Sequence, residues 1–189
     1  MEVEWQFIPG VALLRPRIHR DARGLLVETY NERLFHDKVA RVHFVQDNVS
    51  VSRTKGTVRG LHFQRQPSQQ SKLVRVAKGA IRDIAVDLRQ GSPTFARHVA
   101  VTLTSEGCEQ LWIPAGFAHG FCTLEDDTQV SYKIDRLYDP DADAGILWND
   151  PELAISWPVA EADAILSDKD KIMPLLADIA PAFTYTGAE

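Results

Sequence analysis

Three side chains that can carry or transfer a proton occur in short apolar segments of this chain: His62, Lys72 and His119. If those segments are strands, their side chains alternate between two faces, so all three can point into one barrel while their neighbours pack outward. Titratable groups are costly to bury unless they have partners or a task. A barrel interior with two imidazoles and an ammonium is therefore a candidate active site.

A metal centre is the first hypothesis for histidines inside a β-barrel, because two His on one strand, a carboxylate and a third His form a common ligand set. The residue that shares the face of His62 two positions later is Gln64, however, and Lys72 occupies the later position where a carboxylate ligand would be expected. Two imidazoles beside an ammonium form a poor site for a divalent cation. The ligand pattern therefore disfavours a metal.

General acid–base chemistry suits these residue types better. Histidine titrates near neutral pH, tyrosine can donate or accept a proton, and a buried lysine can stabilise a developing oxyanion. Together they match proton abstraction next to a carbonyl, with His62 as the base, Lys72 as the enolate stabiliser and Tyr132 as an inward-facing acid. Taken singly, a histidine or tyrosine in a strand is more often a structural group with satisfied hydrogen bonds.

An imidazole base generally needs a partner for its second nitrogen, and Asp170 is the candidate for His62. Spacing alone does not bring the two together, and periodicity places Asp170 in the exposed first turn of a helix. Arg23, in a turn, is either an ordinary turn residue or a phosphate ligand through its planar guanidinium.

Short runs of alternating or β-branched residues dominate the chain and predict an all-β sandwich or barrel. Gly and Asp-rich turns separate the runs. The only helix predicted before the C-terminal third spans residues 31–39, with Asn31 as N-cap, and a short helical segment begins at Ser167 and ends before Pro174. The C-terminal third is expected to wrap the barrel. The predicted strands are residues 11–14, 25–30, 43–52, 57–63, 73–76, 80–88, 98–103, 110–113, 117–124 and 128–134.

One predicted strand has an unusual alternation. Gln46, Asn48 and Ser50 share one face, and the valines at 45, 49 and 51 share the other. The polar face is either a solvent-facing stripe or the lining of a barrel cavity.

Length and composition predict one domain spanning residues 1–189. The net charge of −5 provides no basic surface for nucleic acid or an anionic membrane. Cys108 and Cys122 lack metal-ligand spacing and are expected to be reduced thiols. The chain begins without a basic region followed by an apolar run, and no segment approaches about 18 uninterrupted apolar residues. A cytoplasmic protein is expected.

From about residue 10 to about residue 174, the sequence resembles the dTDP-4-dehydrorhamnose 3,5-epimerases. The resemblance rests on nine blocks in order: Asp21-Ala22-Arg23-Gly24, Phe44-Val45-Gln46-Asp47-Asn48, Val58-Arg59-Gly60-Leu61-His62-Phe63-Gln64, Lys72-Leu73-Val74-Arg75, Ser92-Pro93-Thr94-Phe95, Leu111-Trp112-Ile113-Pro114, Gly116-Phe117-Ala118-His119-Gly120-Phe121, Ser131-Tyr132-Lys133 and Ile146-Leu147-Trp148-Asn149-Asp150-Pro151.

This resemblance implies a cupin-type jelly roll without metal or other cofactor. It implies a homodimer to which the N-terminal strands contribute, with a C-terminal segment that wraps the domain. Members of the family convert dTDP-4-dehydro-6-deoxy-D-glucose to dTDP-4-dehydro-L-rhamnose by inverting carbons 3 and 5, which flank the carbon-4 ketone.

The family's functional residues match positions of this chain. The base matches His62, the aspartate that orients it matches Asp170, the acid on the opposite sugar face matches Tyr132, and the enolate-stabilising lysine matches Lys72. The other predicted substrate-binding residues are Arg59 and, from the partner subunit, Arg23 at the diphosphate, together with Glu28, Gln46, Asn48, His119, Tyr138 and Asp143.

The chain departs from the family pattern at two places. Leu25 and Leu26 stand where an aromatic pair is usual, and Asp143 stands where glutamate is common. Both changes concern nucleotide binding rather than the chemistry. An epimerase that inverts only carbon 3 or carbon 5 of a related dTDP-4-keto-6-deoxysugar is the close alternative, and a metal-dependent cupin oxygenase and a non-catalytic sugar-binding module are the more distant ones.

Overall fold

Two antiparallel sheets form the body of the protein in the computed structural model, which describes residues 1–187. The larger sheet contains, in spatial order, β1 (Glu2–Trp5), β2 (Ala12–Arg15), β11 (Gln110–Ile113), β7 (Lys72–Lys78), β13 (Thr128–Ile134) and β5 (Gln46–Ser52). The smaller sheet contains β10 (His98–Thr104), β8 (Ala80–Asp87), β12 (Phe117–Thr123), β6 (Val58–Gln64) and β14 (Asp143–Gly145). The predicted all-β jelly-roll class is confirmed.

Four short strands and two short helices complete the fold. The strands β3 (Ile18–Asp21) and β4 (Gly24–Val27) form a separate antiparallel hairpin, and β9 (Arg89–Gln90) pairs in parallel with β15 (Phe183–Thr184). The helices are α1 (Glu32–Lys38) and α2 (Asp168–Lys171), with 3₁₀ turns at Glu161–Asp163 and Leu176–Asp178. In the described part of the chain, no helix is long and apolar enough to cross a membrane.

The main core lies between the two sheets because apolar side chains alternate inward from both. Leu111 and Val130 of the larger sheet belong to the same buried cluster as Ile81, Val99 and Leu103 of the smaller one. Each such side chain contributes roughly 1.5–3 kcal/mol when it is fully removed from water. This packing fixes the separation of the sheets and therefore the width of any cavity between them.

The helix predicted at residues 31–39 is present as α1, and it packs against the larger sheet through Phe35. Asn31 caps it by accepting a hydrogen bond from the Leu34 amide at 3.2 Å. Its one buried residue, Phe35, packs edge-on against Trp112, with ring centroids 5.2 Å apart.

The polar face of β5 lines the inside of the fold. Gln46, Asn48 and Ser50 are partly buried, whereas Val49 is 65% and Val51 49% exposed on the outer face. Of the three polar residues, Ser50 lines the cavity between the sheets, whereas Gln46 and Asn48 are not among its lining residues. The cavity-lining interpretation therefore holds for Ser50.

Several boundaries differ from the sequence-based prediction. The strand predicted at residues 25–30 ends at Val27, and the strand predicted from residue 43 begins at Gln46. The strands β1, β3, β9, β14 and β15 were not predicted. Of these, β9, β14 and β15 have only two or three residues, which are too few to display an alternating pattern. Both cysteines are free thiols, as expected.

The strands β6 and β12 approach each other unusually closely beside the two histidines. His62 and His119 are register partners, and a register shift follows immediately. A Cβ atom added to Gly60 would lie 2.5 Å from the Gly120 Cα atom and 2.9 Å from the His119 carbonyl oxygen. Glycine at position 60 therefore permits the contact that sets the two imidazoles side by side.

We expect Gly60→Ala to destabilise the fold more than Gly24→Ala does, as measured by urea unfolding. Both glycines have a positive φ, +133° and +128°, but a Cβ atom on Gly24 would meet nothing within 4 Å. Backbone strain alone costs about 1–3 kcal/mol, and the clash at Gly60 adds about 1–3 kcal/mol. Equal losses in the two variants would contradict the close-contact explanation.

Candidate active site

A cavity of about 460 Å³ lies between the two sheets and collects most of the titratable residues selected from the sequence. The strand β6 contributes the titratable residues Arg59 and His62, and β7, β12 and β13 contribute one titratable residue each: Lys72, His119 and Tyr132. The C-terminal segment closes one side of the cavity. The other lining residues are Ser50, Thr57, Val58, Phe121, Ile165, Leu166, Ser167, Lys169 and Asp170.

His62 forms a short hydrogen bond with Asp170. The Nε2 atom of His62 lies 2.6 Å from Oδ1 of Asp170, although the two residues are 108 positions apart in the chain. Asp170 is only 3% exposed, so its predicted place on an exposed helical surface is wrong. The structural reason is that α2 lies against β6 and turns Asp170 inward.

The Asp170 carboxylate stays ionised despite its burial. Burial acts to raise the pKa of this carboxyl, but hydrogen bonds from His62, from Ser167 and from the Gly60 amide hold it below its usual value. An ionised carboxylate accepts a hydrogen bond from the Nε2–H group, and this tautomer leaves the lone pair on Nδ1 of His62. His62 is thereby prepared to act as a base through Nδ1.

Lys72 contributes an ammonium group to the cavity. Among residues 1–187, no carboxylate lies within ion-pair distance of its ammonium. Burial lowers the pKa of Lys72 to about 8, against the opposing effects of the Asp83 and Asp143 charges. At neutral pH, the group is therefore a desolvated ammonium whose field is directed at the cavity.

His119 is held by a second buried carboxylate, Asp83. The His119 Nε2 atom lies 2.7 Å from Oδ1 of Asp83, which is fully buried on β8. Burial lowers the pKa of His119, so its imidazole is neutral at neutral pH. The sequence prediction missed Asp83, although a lone acidic residue on the apolar face formed by Ile81 and Ala85 was a visible signal.

Tyr132 enters the cavity from the sheet opposite to that of His62. It lies on β13, half-buried beside the main core cluster, whereas His62 belongs to the smaller sheet. Burial raises the pKa of the phenol, and nearby Arg59 partly opposes this effect. The protonated phenol of Tyr132 and the imidazole of His62 therefore approach the cavity from two sides.

A polar network forms the rim next to β14. Oε1 of Gln46 accepts the Tyr138 amide at 3.2 Å, and Nε2 of Gln46 donates to Asn48 at 2.9 Å. The Tyr138 hydroxyl donates to Asp143 at 3.1 Å, and Asp143 also forms an ion pair with Lys169. Lys169, which lines the cavity, was missed by the sequence prediction, and its only signal was its position next to Asp170.

Arg59 is the cavity-lining arginine of this chain. It donates to the Ser52 hydroxyl and to the Val51 carbonyl, each at 3.1 Å. Arg23 lies on the β3–β4 hairpin with 90% of its side chain exposed and pairs with Asp21. Glu28 lines a different cavity of about 440 Å³. A single chain therefore does not bring Arg23 or Glu28 to the site.

The donor set does not fit a divalent cation. Across the described residues, no group of three or more His, Cys, Asp or Glu side chains is arranged to hold a metal ion. Both cavity imidazoles already direct Nε2 at a carboxylate, and the Lys72 ammonium lies in the same cavity. The arrangement suits proton transfer beside a group that develops negative charge.

Comparisons with known proteins agree with one another. A family model described as dTDP-4-dehydrorhamnose 3,5-epimerase matches residues 6–178. A dTDP-4-dehydrorhamnose 3,5-epimerase of Sinorhizobium fredii is 48% identical over 178 residues, which cover 94% of this chain and 91% of the relative.

Solved structures of two related enzymes superpose closely on the fold. The dTDP-4-dehydrorhamnose 3,5-epimerase of Bacillus anthracis, with TDP and PPi bound, is 49% identical with a TM-score of 0.89, covering 92% of this chain and 98% of the other. The dTDP-6-deoxy-D-glucose-3,5-epimerase of Legionella pneumophila, in complex with dTDP-4-keto-L-rhamnose, is 39% identical with a TM-score of 0.93 and 98% coverage of both chains.

We expect the Lys72 ammonium to titrate with a midpoint of about 8, well below the value of about 10.4 for a solvated lysine. An NMR titration of the Lys72 side chain measures this midpoint directly. Asp83→Asn should lower it further, because the negative charge of Asp83 favours the ammonium form. Asp47→Asn is the matched control, since Asp47 is exposed and pairs with Lys133. A wild-type midpoint near the solvated value would contradict the described burial of this group.

Proposed function

The chain belongs to the dTDP-4-dehydrorhamnose 3,5-epimerase family, and we propose that its cavity inverts two carbons of a nucleotide sugar by base-and-acid proton transfer. It is an isomerase that acts on dTDP-4-dehydro-6-deoxy-D-glucose and forms dTDP-4-dehydro-L-rhamnose. One observation carries the proposed mechanism: the His62–Asp170 pair and Tyr132 enter a single cavity from opposite sheets, and Lys72 lines the same cavity from β7.

The first step is removal of a proton from a carbon next to the carbon-4 ketone. His62 takes this proton through Nδ1, because Nε2 is occupied by the hydrogen bond to Asp170. The electron pair of the broken C–H bond moves onto the ketone oxygen and forms an enolate. The imidazolium that results is stabilised by the adjacent Asp170 carboxylate, which lowers the barrier to abstraction.

Lys72 stabilises the negative charge that appears on the ketone oxygen. A desolvated ammonium without an ion-pair partner interacts more strongly with a developing oxyanion than a solvated one does. Its low pKa also brings its acidity closer to that of an enol, so a hydrogen bond between the two is well matched.

The second step returns a proton to the opposite face of the same carbon. Tyr132 donates this proton from its side of the cavity, and the carbon is then inverted. Burial raises the pKa of the phenol and keeps it protonated until the enolate forms. Exchange of His62 and Tyr132 with solvent resets both groups, after which the other carbon next to the ketone reacts in the same way.

The nucleotide end of the substrate requires positive charge, which Arg59 and Lys169 supply at the cavity. Arg59 presents a planar guanidinium suited to a diphosphate oxygen. A hydrogen-bonded rim beside the cavity can contact the sugar or the thymine of the nucleotide. It consists of Tyr138, Asp143, Gln46 and Asn48.

A homodimer would supply the predicted residues that a single chain leaves outside. The Arg23 side chain is 90% exposed on its hairpin, which also carries Leu26, 73% exposed. The outer face of β5 exposes Val49 and its neighbouring valines as well. Exposed apolar surface of this kind is typical of an interface, which supports a dimer in which each hairpin reaches the partner's site. The single domain, the lack of a cofactor and the cytoplasmic location stay predictions.

The function is tested by incubating the protein with the 4-keto nucleotide sugar in deuterated water and counting deuterium by NMR. We expect deuterium at carbons 3 and 5 together with L-rhamno product. His62→Ala should abolish exchange at both carbons, and Asp170→Asn should slow it about 10²- to 10⁴-fold, because the imidazole then lacks its anionic partner. Deuterium at only one carbon in the wild-type protein would indicate the single-site epimerase instead. Normal exchange in His62→Ala would require another base.

Tyr132→Phe should separate exchange from inversion. Without the phenol, His62 still forms the enolate and returns the proton from its own side, so solvent deuterium enters while the configuration is retained. Tyr138→Phe is the matched control, because this hydroxyl lies on the rim and bonds Asp143. The experiment compares deuterium content with product configuration at each carbon. Normal inversion in Tyr132→Phe and lost inversion in Tyr138→Phe would assign the acid to Tyr138.

A further inference from the structure

Residues 147–150, which follow β14, bond to the backbone just after the helix α2 that carries Asp170. The Leu147 amide donates to the Pro174 carbonyl at 2.8 Å. Asp150, which is 3% exposed, accepts the Leu176 amide on Oδ2 at 2.6 Å and the Glu152 amide on Oδ1 at 2.8 Å. Neither Leu147 nor Asp150 lines the cavity. Apart from the Asp150 bond to Glu152, these contacts hold the backbone just beyond α2.

The position of α2 depends on such external contacts. A helix of four residues is too short to be stable by itself, and Asp170 is its only buried residue. On its N-terminal side, the chain is fixed by Ile165, which bonds the Gly56 carbonyl at 3.1 Å and the Val58 amide at 2.9 Å. On its C-terminal side, the Asp150 and Leu147 contacts are the corresponding anchor.

A packing contact reinforces this C-terminal anchor. Met173 lies over Gly145, where an added Cβ atom would meet the Met173 sulfur at 2.9 Å. Gly145 is the register partner of His62 on the neighbouring strand. The strand β14, which pairs with His62 on β6, therefore also supports the segment that carries Asp170.

We propose that Asp150 is a positioning residue for the catalytic base: by holding the Leu176 amide, it keeps Asp170 within hydrogen-bond distance of His62. A carboxylate that accepts two backbone amides in a buried site forms strong, charge-assisted hydrogen bonds. Losing the anionic acceptor frees the residues after α2, and Asp170 then moves away from the imidazole. This inference rests on the proposed function, because it assigns His62 as the base.

The first test reads the tautomer of His62 without substrate. In protein labelled with ¹⁵N-histidine, the two ring nitrogens of His62 are identified from their couplings to the ring carbon-bound protons. Wild-type His62 should be the Nε2–H tautomer when neutral, and Asp150→Asn should give a mixture of both tautomers. His119, bonded to Asp83 at 2.7 Å in the same cavity, is the internal control and should not change.

The second test measures turnover. A displacement of about 1 Å at a reacting group can cost roughly 10²-fold, so we expect Asp150→Asn to lower kcat about 10- to 10²-fold with KM nearly unchanged. Added to Asp170→Asn, it should cause little further loss, because both act through the same hydrogen bond. Asp178→Asn is the matched control: it removes an exposed carboxylate from the same segment and should leave the tautomer and kcat unchanged.

Met173→Ala provides a second variant if Asp150→Asn does not fold. It loosens the same segment without altering a buried charge and should move the His62 tautomer in the same direction. The proposal is overturned if folded Asp150→Asn keeps the wild-type tautomer and kcat. It is also overturned if the loss of kcat in Asp150→Asn multiplies with the loss in Asp170→Asn. If only Met173→Ala folds, an unchanged His62 tautomer in that variant overturns the proposal. A wild-type protein that incorporates no deuterium would refute the proposed function instead, while the tautomer result would still stand.

Discussion

The hydrogen bond between His62 and Asp170 is the interaction on which the arrangement of the site depends. It joins β6, near the centre of the smaller sheet, to a four-residue helix close to the C-terminus. An imidazole acts as a base from one nitrogen only when the other is held by a partner that fixes the tautomer. The long C-terminal segment can therefore be understood as a support for one carboxylate, anchored on both sides of α2.

The two-sheet architecture places Tyr132 opposite His62, the residue proposed as the base. Inverting a carbon requires a proton to leave one face and another to enter the other, so the two groups must not share a side. Strand alternation in β6 and in β13 directs His62 and Tyr132 inward from different sheets, and the core between the sheets holds them apart. The buried pair of His119 and Asp83 fixes a second imidazole, and the Asp83 charge helps to keep Lys72 protonated.

Alternation and residue chemistry predicted much of this site and failed at identifiable places. His62, Lys72, His119 and Tyr132 were expected in one interior because each lies in a recognisable strand, and all four line the cavity. Asp170 followed only from resemblance to a family, since a contact across 108 positions has no local signature. The sequence left open whether the polar face of β5 meets solvent or a cavity, because alternation alone does not show which side of a strand faces inward. Short strands such as β14 were missed because they form only where a neighbouring edge is available for pairing.

The central claim is that base and acid act on opposite faces of one sugar ring. A crystal structure of the protein with a bound dTDP-4-keto-6-deoxysugar tests it most directly. The account predicts the His62 Nδ1 atom on one face of the ring and the Tyr132 hydroxyl on the other, each about 3–3.5 Å from a carbon next to the ketone. Lys72 should contact the ketone oxygen. A complex in which both groups lie on the same face, or in which His62 presents Nε2 to the sugar, would contradict it.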